Sequence, residues 1–292
     1  MPRLSLSVPA LAVVALLSLP LQSHGADYRF GVFAGSASKD NQSDLRAEFK
    51  PLMDYVAKET GDNIKLEISQ SFKNMGNRLN SSGHFSILLA PAQVTADAMK
   101  EGYTPVAKWN KQLSGMFVVA TNQPYKNIAA LKGTRLGIAS RDTAIGPLCM
   151  GALNKAGLRA DRDMGSIYEG KFMDVMAQEL KSGSLDAICI SPIAWKALNT
   201  DSPGAFRILA ETPRIPGFAI SLRDDLPPQE KKKLTAVLTS IGKSPEGKAA
   251  LAAISGSASG ATETQSTNSE EYASADELLT QGKKLYDKQM PR

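Results

Sequence analysis

The sequence predicts an α/β fold with two lobes, each built on a mostly parallel sheet flanked by helices. Short apolar segments typical of buried strands alternate with segments of helical period as far as about residue 215. The alternation falls into two sets, and 292 residues are enough for two modest domains with cores of their own.

The first set consists of three strands and three helices in strict alternation, which predicts a parallel or mostly parallel sheet. Its predicted elements are strand 28–33, helix 45–60, strand 64–68, short helix 71–80, strand 85–90 and helix 91–101. Ligands of such sheets bind beyond the carboxyl ends of the strands. The three loops that follow these strands, 34–41, 70–74 and 90–93, are therefore candidate binding loops.

The second set follows two further strands, 105–110 and 114–121. Its predicted elements are short helix 127–133, strand 135–139, helix 146–156, extended segment 164–168, helix 172–182, strand 185–190, and strands 207–211 and 216–221. Three helices form the tail, at 228–242, 244–254 and 274–286, and a polar loop, 255–269, separates the last two.

The junction between strand 135–139 and the helix after it predicts an anion site. Asp142 or Thr143 can cap the helix, Pro147 fits its first turn and Gly157 is suited to end it. Such a junction directs unpaired backbone N–H groups and the positive end of the helix dipole beyond the strand. The same pattern also fits an ordinary capped junction covered by water.

The first 25 residues predict a secretory signal peptide. A basic start, an apolar run over 4–21 and small residues before Ala26 fit cleavage after Gly25, with Asp27 as the second choice of mature N-terminus. A membrane anchor needs a longer run and firmer flanking charges. No cysteine follows the cleavage site to carry a lipid. We expect an exported periplasmic protein that does not span the membrane.

Charge and side-chain chemistry argue against several functions. The formal charge is +5, but the basic residues are scattered, and the run 231–233 fits a solvated helix face better than a nucleic-acid site. His84, the one histidine left after signal removal, has no metal-ligating or nucleophilic cluster around it and is expected at the surface. We predict no enzyme, metal or cofactor; an enzyme that uses carboxylates alone stays open, and turnover of a ligand would reveal it.

The two cysteines, Cys149 and Cys189, each lie in a predicted apolar element. An oxidising compartment permits a disulfide between them. Burial among apolar residues favours free thiols, which is our prediction.

Several passages occur in a characteristic order: YRFGVF, FKPLMDYVAKETG, SSGHFSILLAP, NIAALKGTRLGIASRDTAIG, LKSGSLDAICISP and RDDLPPQEKKKL. Together they resemble the phosphonate-binding (PhnD-like) branch of the type II periplasmic binding proteins, the solute-binding subunits of ABC importers. The resemblance runs from about residue 28 to 254, and ALKGTRLGIASRDTAIG is its most specific passage.

The resemblance implies a first lobe of residues 26–119 and 216–292 and a second lobe of residues 120–215. Crossing strands near 119–121 and 215–218 form the hinge, and the C-terminal segment returns to the first lobe. The chain is then a monomer that closes on a ligand between its lobes and delivers it to an inner-membrane ABC permease. The alternative is a periplasmic sensor that docks on a membrane receptor kinase or cyclase, which gene neighbourhood would distinguish.

The resemblance also implies ligand contacts in the loops after the strands. The implied contacts are Ser36, Ser71, Pro91, Ala92, Ser140, Asp142, Thr143, Ala144, Lys171 and Ser191. The first loop lacks the aromatic residue frequent in the family, and Ser191 is followed by no acid that would meet an aminoalkyl group. The expected ligand is a small oxyanion or organic acid of phosphonate, phosphite or phosphate type, in a lining of small hydroxyl-bearing and apolar residues.

Overall fold

The computed structural model describes residues 25–34, 42–79, 81, 84–254 and 260–290. These residues form two large mixed sheets flanked by helices, which confirms the predicted α/β class. Residues 1–24 of the predicted signal peptide lie outside the described residues, as does Ser36.

The observed elements follow the predicted order closely. The first part of the chain contains β1 (Asp27–Phe33), α1 (Gln42–Thr60), β2 (Asn63–Ser69), α2 (Phe72–Leu79), β3 (Ile87–Ala90), α3 (Ala92–Lys100) and β4 (Tyr103–Trp109). The middle contains β5 (Gln112–Leu113), β6 (Met116–Ala120), a 3-10 turn (Ile128–Leu131), β7 (Arg135–Ala139), α4 (Ile145–Lys155), α5 (Ala160–Asp163), β8 (Ser166–Gly170), α6 (Met173–Lys181), β9 (Ala187–Ile190), α7 (Pro192–Asp201) and β10 (Phe206–Glu211). The last part contains β11 (Ile215–Pro216), β12 (Ala219–Arg223), α8 (Pro228–Leu238), α9 (Pro245–Ala252), β13 (Thr264–Ser266) and α10 (Ser269–Gln289).

Each lobe is organised around one mixed sheet, with three parallel strands on one side and antiparallel strands on the other. The first sheet has the strand order β13-β4-β12-β3-β1-β2, and the second has the order β10-β6-β9-β7-β8. In each sheet a strand that arrives from the other lobe, β12 or β6, runs antiparallel to its neighbours. It must do so because it enters at the edge where the parallel strands end. Both changes of lobe therefore take place beside the expected binding loops.

The two lobes have separate apolar cores. In the first lobe α1 presents Leu45, Phe49 and Leu52 to the sheet, as its helical period predicts. In the second lobe Ile138 and Ile188, on neighbouring strands, lie in another continuous cluster. Such separate cores allow each lobe to move as a unit.

The hinge lies earlier in the chain than predicted. The first crossing was expected at 119–121, but β6 already belongs to the second sheet. The chain changes lobes at β5 and returns at β11, and these two short segments pair antiparallel, with Leu113 opposite Ile215. The apolar pattern of 114–121 marks a buried strand but carries no information on which sheet contains it, so the lobe boundary was misplaced.

The C-terminal region also differs from its prediction. The last helix begins at Ser269 rather than at 274, and β13 occupies part of the predicted loop 255–269. Side-chain capping by Asn268, which accepts from the Glu271 N–H at 3.1 Å, sets this earlier start. The sequence analysis also assigned no helix to α7, although Ser191 caps it and Pro192 occupies its first turn.

The predicted free thiols are wrong, because Cys149 and Cys189 form a disulfide. Cys149 lies on α4 and Cys189 on β9, the strand against which α4 packs, with their Cα atoms 6.3 Å apart. This separation is within the usual disulfide range. Burial among apolar residues indicated where the sulfur atoms lie, but only the packing of the helix on the sheet brings them together.

We expect the double substitution Cys149→Ala with Cys189→Ala to lower the free energy of unfolding by about 4 kcal/mol, because the bond closes a loop of 40 residues. Urea denaturation of the unreduced parent and of the double variant measures the difference. In the parent, unfolded and unreduced, no thiol should react with a maleimide, and two should react after reduction. Two reactive thiols before reduction would contradict the disulfide.

Candidate functional site

The described residues of the predicted binding loops of the first lobe lie at the same end of its sheet. The Ala34 N–H donates to the Ser69 carbonyl at 3.1 Å, which joins the ends of β1 and β2. Ser71 begins α2, where its hydroxyl accepts from the Asn74 N–H at 3.3 Å. After β3, Pro91 and Ala92 are buried at the start of α3.

In the second lobe Thr143 caps α4, as predicted, whereas Asp142 is exposed. The Thr143 hydroxyl accepts from the Gly146 N–H at 3.3 Å and donates to the Ser140 carbonyl at 2.8 Å. The sequence interpretation gave this hydroxyl to the ligand as a donor. Its one proton is already used within the loop, because the turn brings the Ser140 carbonyl into reach.

The unpaired N–H groups at the start of α4 are fewer than expected. The sequence predicted unpaired N–H groups at this junction, but the Thr143 N–H donates to the Ser140 carbonyl and the Gly146 N–H donates to the Thr143 hydroxyl. In the described part of the chain, no partner is found for the backbone N–H groups of Ala144 and Ile145. Gly146 permits this geometry, since a Cβ there would lie 2.5 Å from the Ala139 carbonyl oxygen. The helix start therefore lies directly against the strand end.

Arg141, which the sequence analysis passed over, holds this loop in place. Its side chain is buried, at 8% exposure, and its Nη2 lies 2.8 Å from a Glu169 carboxylate oxygen. Nη2 also donates to the Met290 carbonyl at 2.8 Å, and Nη1 donates to Asp287 at 3.0 Å. The guanidinium lies 4.9 Å from the centre of the Tyr286 ring. A buried cation therefore connects the loop after β7 with β8 and with α10.

The carboxylate of Glu169 is held ionised at this position. Burial raises its pKa, but hydrogen bonds from Arg141 and Ser140 outweigh burial, and the net shift is downward. One oxygen of Glu169 accepts from the Ser140 hydroxyl at 3.1 Å and from the Arg141 N–H at 3.0 Å. The first donors of the loop are thus bound to a carboxylate of the protein itself.

The remaining predicted contacts of the second lobe lie at the ends of β8 and β9. Lys171 is exposed, with its ammonium 5.4 Å from the centre of the Phe172 ring. Ser191 caps α7 by accepting from the Ala194 N–H at 3.2 Å. The Ser191 N–H lies 3.4 Å from the sulfur of Met173, at the start of α6, so these two loops are adjacent.

One apolar cluster spans the two lobes. Ala92 of the first lobe and Ala144 of the second are 1% and 3% exposed, and both belong to this cluster. It is completed by Ile215 of the hinge and by residues of α10. The structure therefore brings Ala92 and Ala144, both predicted site residues, into the same contact region. The C-terminal helix was expected on the first lobe alone, but it contacts α3 of the first lobe and, more extensively, α4 of the second, and so bridges the lobes.

Gln93 is a candidate site residue that the sequence analysis left out. It follows Ala92 at the start of α3, and its side-chain oxygen is enclosed without a hydrogen-bond partner among the described residues. A buried amide oxygen without a partner is energetically costly. An amide side chain two residues after a strand-end proline was the available sequence signal.

A cavity of about 410 Å³ lies beside the hinge rather than among the predicted residues. Its charged lining residues are Lys108, Lys111, Glu211 and Arg214, and Pro192 contributes from the second lobe. Arg214 and Glu211 form a bidentate pair with both distances at 3.0 Å. None of the predicted contacts lines this cavity, although Ser191 precedes Pro192.

Two further kinds of feature, a metal-binding cluster and a membrane-spanning helix, are not found in the described part of the chain. No group of three His, Cys, Asp or Glu side chains there comes together as a metal site. His84 was expected at the surface but is half-buried, with its Nε2 atom 2.8 Å from a Glu67 carboxylate oxygen. Arg29 and Arg78 also pair with the Glu67 carboxylate. Among the described helices, none combines the length and the apolar character that a membrane span requires.

Comparison with known proteins identifies the relatives of this chain. Residues 34–269 match a family model described as the periplasmic substrate-binding protein of phosphonate ABC transporters. A comparison with curated proteins gives no match.

Solved structures share the fold over nearly the whole chain. A Xanthomonas citri protein bound to ATP has 17% identity and a TM-score of 0.71, over 89% of this chain and 98% of that one. PhnD1 from Prochlorococcus marinus, in complex with methylphosphonate, has 17% identity and a TM-score of 0.67, over 87% and 98%. A binding-protein component of an ABC phosphonate transporter from Pseudomonas aeruginosa has 13% identity and a TM-score of 0.64, over 92% and 90%.

We expect Arg141→Lys to lower the free energy of unfolding by about 3 kcal/mol, because one ammonium cannot reach all three partners of the buried guanidinium. Arg135→Lys is the matched control, since Arg135 forms a bidentate pair with Asp186 at the other, solvent-exposed end of the same strand. It should have little effect. Urea denaturation near pH 7 measures both variants.

The pair of Arg141 and Glu169 also makes the free energy of unfolding depend on pH. Since the pKa of Glu169 is lowered on folding, its stabilising effect is present above its unfolded pKa of about 4.3 and is lost as the pH falls through the folded pKa. The free energy of unfolding of Arg141→Lys should therefore decrease less than that of the parent as the pH is lowered. If Arg135→Lys and Arg141→Lys lower the free energy of unfolding equally, the buried guanidinium has no special role in stability.

Proposed function

The chain belongs to the phosphonate-type periplasmic substrate-binding proteins of ABC transporters, and from this premise we propose that it captures a small oxyanion between its two lobes. Family members of this kind bind solutes and deliver them to a membrane permease. The site is formed by the loops at the facing ends of the two sheets, with Ala144 and Ile145 on one side and Ala92 and Gln93 on the other.

The observation that carries the proposal is the start of α4. Two neighbouring N–H groups, those of Ala144 and Ile145, have no partner among the described residues. They lie at the positive end of a helix of 11 residues. Such a group of donors favours an anion, and an oxygen of a phosphonate or phosphate accepts from several N–H groups at once. The α3 start meets this region from the opposite lobe, within the cluster that contains Ala92 and Ala144.

The ligands of two structural neighbours agree with this chemistry. One neighbour was solved with methylphosphonate and another with ATP. Both ligands contain phosphorus bound to several charged oxygen atoms. This shared group is the part that a helix N-terminus recognises.

The surroundings limit which oxyanions are accepted. Two described acids lie at the loop: Glu169, whose charge Arg141 balances, and Asp142, which is exposed to solvent. No acid follows Ser191 directly, so a ligand ammonium has no partner at that position. We therefore propose a ligand without an amino group, such as methylphosphonate, phosphite or phosphate. Ser140, Thr143 and Ser191 supply the polar part of the lining, and Lys171 lies at its exposed edge.

Closure of the lobes on the ligand is the second part of the proposal. The β5 and β11 crossings provide a short two-stranded connection between the sheets, which suits a hinge. An anion on the Ala144 and Ile145 N–H groups would also be within reach of the α3 start when the lobes approach. Residues 26–111 with 217–268 then move against residues 114–214, and α10 bends or leaves one lobe, because it contacts both.

The proposal is tested by a thermal-shift screen of methylphosphonate, 2-aminoethylphosphonate, phosphite, phosphate, a sulfonate and small carboxylates. A true ligand at 100 times its dissociation constant stabilises the folded protein by about 2.7 kcal/mol. We expect an oxyanion without an ammonium to give the largest shift. Small-angle scattering with that ligand should show a smaller radius of gyration. Stabilisation by carboxylates or amines alone would contradict the oxyanion proposal, and an unchanged radius at saturation would contradict closure.

Thr143→Asp tests the position of the ligand. Aspartate caps a helix as well as threonine does, but it cannot donate to the Ser140 carbonyl as the Thr143 hydroxyl does, so the free energy of unfolding should fall by about 1 kcal/mol. The new carboxylate would lie where the anion binds and should weaken binding at least tenfold, or about 1.4 kcal/mol. Thr143→Ala should affect binding less, although it removes the cap at a cost of about 1 kcal/mol in stability.

Ser244→Asp is the matched control. Ser244 caps α9 with the same geometry, accepting from the Gly247 N–H at 3.0 Å, and α9 packs on α1 away from the second lobe. Its substitution adds the same charge at a helix start and should leave binding unchanged. Calorimetric titration with the oxyanion from the screen compares the three variants. Undiminished binding by a stably folded Thr143→Asp protein would remove α4 from the site.

A further inference from the structure

The start of the described chain lies on a buried carboxylate. The Ala26 N–H donates to one oxygen of Asp62 at 3.0 Å, and the Asn63 N–H donates to the Ala26 carbonyl at 2.9 Å. Asp62 is only 6% exposed. The backbone nitrogen of Ala26 is thereby fixed against a side chain that has almost no access to water.

The charged groups around Asp62 are mostly carboxylates, which favours the binding of a second cation. The Lys233 ammonium lies 2.5 Å from the other carboxylate oxygen of Asp62, and the Lys233 side chain is 39% exposed. The sequence analysis placed Lys233 on a solvated helix face, whereas the structure pairs it with this buried carboxylate. The other titratable groups nearby are Glu230, which accepts from the Tyr28 hydroxyl at 2.7 Å, and Asp27, which accepts from Asn63 at 3.0 Å. Burial and Glu230 raise the pKa of Tyr28, which therefore stays neutral. Near Ala26 there are thus three carboxylates, and the Lys233 ammonium pairs with one of them, Asp62.

We propose that removal of the signal peptide at the Gly25–Ala26 bond creates an ion pair between the new α-ammonium of Ala26 and Asp62. An endopeptidase hydrolyses the bond with one water: the carboxyl group leaves with Gly25, and the Ala26 nitrogen becomes an amine that takes up a proton. A neutral amide donor is thereby converted into a charged donor at the same position. Charge-assisted hydrogen bonds are about twice as strong as neutral ones.

The geometry also distinguishes the two predicted cleavage sites. Cleavage after Gly25 leaves the nitrogen that contacts Asp62, whereas cleavage after Ala26 removes it. It would also remove the Ala26 carbonyl that accepts from Asn63. Asp62 would keep its pair with Lys233 but lose this second donor in a buried site, which is unfavourable. A mature chain that begins at Ala26 is therefore the one that fits this contact.

The pair predicts a raised pKa for the α-amine. An ordinary α-amino group has a pKa of about 7.7–8.0, and the neighbouring carboxylate favours its charged form. A pKa raised on folding contributes stability that is complete below the unfolded value and is lost as the pH rises through the folded value. A rise of one unit corresponds to a tenfold change in the folding equilibrium constant.

The experiment compares two forms of the protein, both released from fusions by a protease that leaves no extra residue. One begins at Ala26, and the other keeps Ser23-His24-Gly25, so that its Ala26 nitrogen stays a neutral amide. The α-amine pKa is measured in the folded protein from the pH dependence of its reductive methylation. For the Ala26 form we expect a pKa raised by about one unit or more. The extended form should show an ordinary value.

Asp62→Asn and the control Asp27→Asn, both made in the Ala26 form, separate the pair from general charge. Asp62→Asn should return the α-amine pKa to the ordinary range, and Asp27→Asn should leave it raised. If Asp62→Asn does not fold, urea denaturation of the two unsubstituted forms decides, because the folding equilibrium constant of the Ala26 form should decrease about tenfold more between pH 7 and pH 10. An ordinary pKa in the Ala26 form, or an equal pH dependence in both forms, would overturn the proposal. The inference assumes export, but no readout involves the ligand, so it stands or fails separately from the proposed function.

Discussion

The buried guanidinium of Arg141 is the contact on which the candidate site depends. Its partners come from three places in the chain: Glu169 at the end of β8, and Asp287 and the Met290 carbonyl at the end of α10. A buried charge is tolerated only when all its partners are in place. The loop after β7, the end of β8 and the end of α10 therefore keep one arrangement. Helix α4 begins four residues beyond Arg141, so the position of its start follows from this fixed point.

Helix α10 carries this constraint from one lobe to the other. Its first half is attached to the first lobe, where the Tyr272 hydroxyl donates to the Gly217 carbonyl at 3.1 Å and Lys100 pairs with Asp276 at 3.3 Å. In its second half the Tyr286 hydroxyl donates to the Ala139 carbonyl at 3.0 Å. Gly282 allows close packing on α4, since a Cβ there would lie 2.1 Å from the Pro147 carbonyl oxygen. Opening of the lobes must therefore bend α10 or release it from one lobe.

The sequence predicted what depends on local pattern and missed what depends on contacts between distant segments. Most of the strand and helix order, the α1 apolar face and the Thr143 cap follow from spacing over a few residues and were predicted, whereas helix α7 was missed. The cysteine pair, the hinge at β5 and the bridging position of α10 depend on how finished elements pack. Arg141 shows the same limit, because a lone arginine in a polar loop gives no sign of burial until Glu169 and Asp287 are brought to it.

The position of Glu169 limits how an anion can be recognised at this site. Its carboxylate already occupies the Ser140 hydroxyl and the Arg141 N–H, so the protein supplies its own anion to the first half of the loop. Arg141 cancels that charge but leaves no excess positive charge to attract a ligand from a distance. Attraction at the α4 start must then come from the directed N–H groups of Ala144 and Ile145 and from the helix dipole, which acts only within the first turn. Selectivity on this basis rests on the arrangement of ligand oxygen atoms at short range, so two anions of equal charge and different shape should be distinguished.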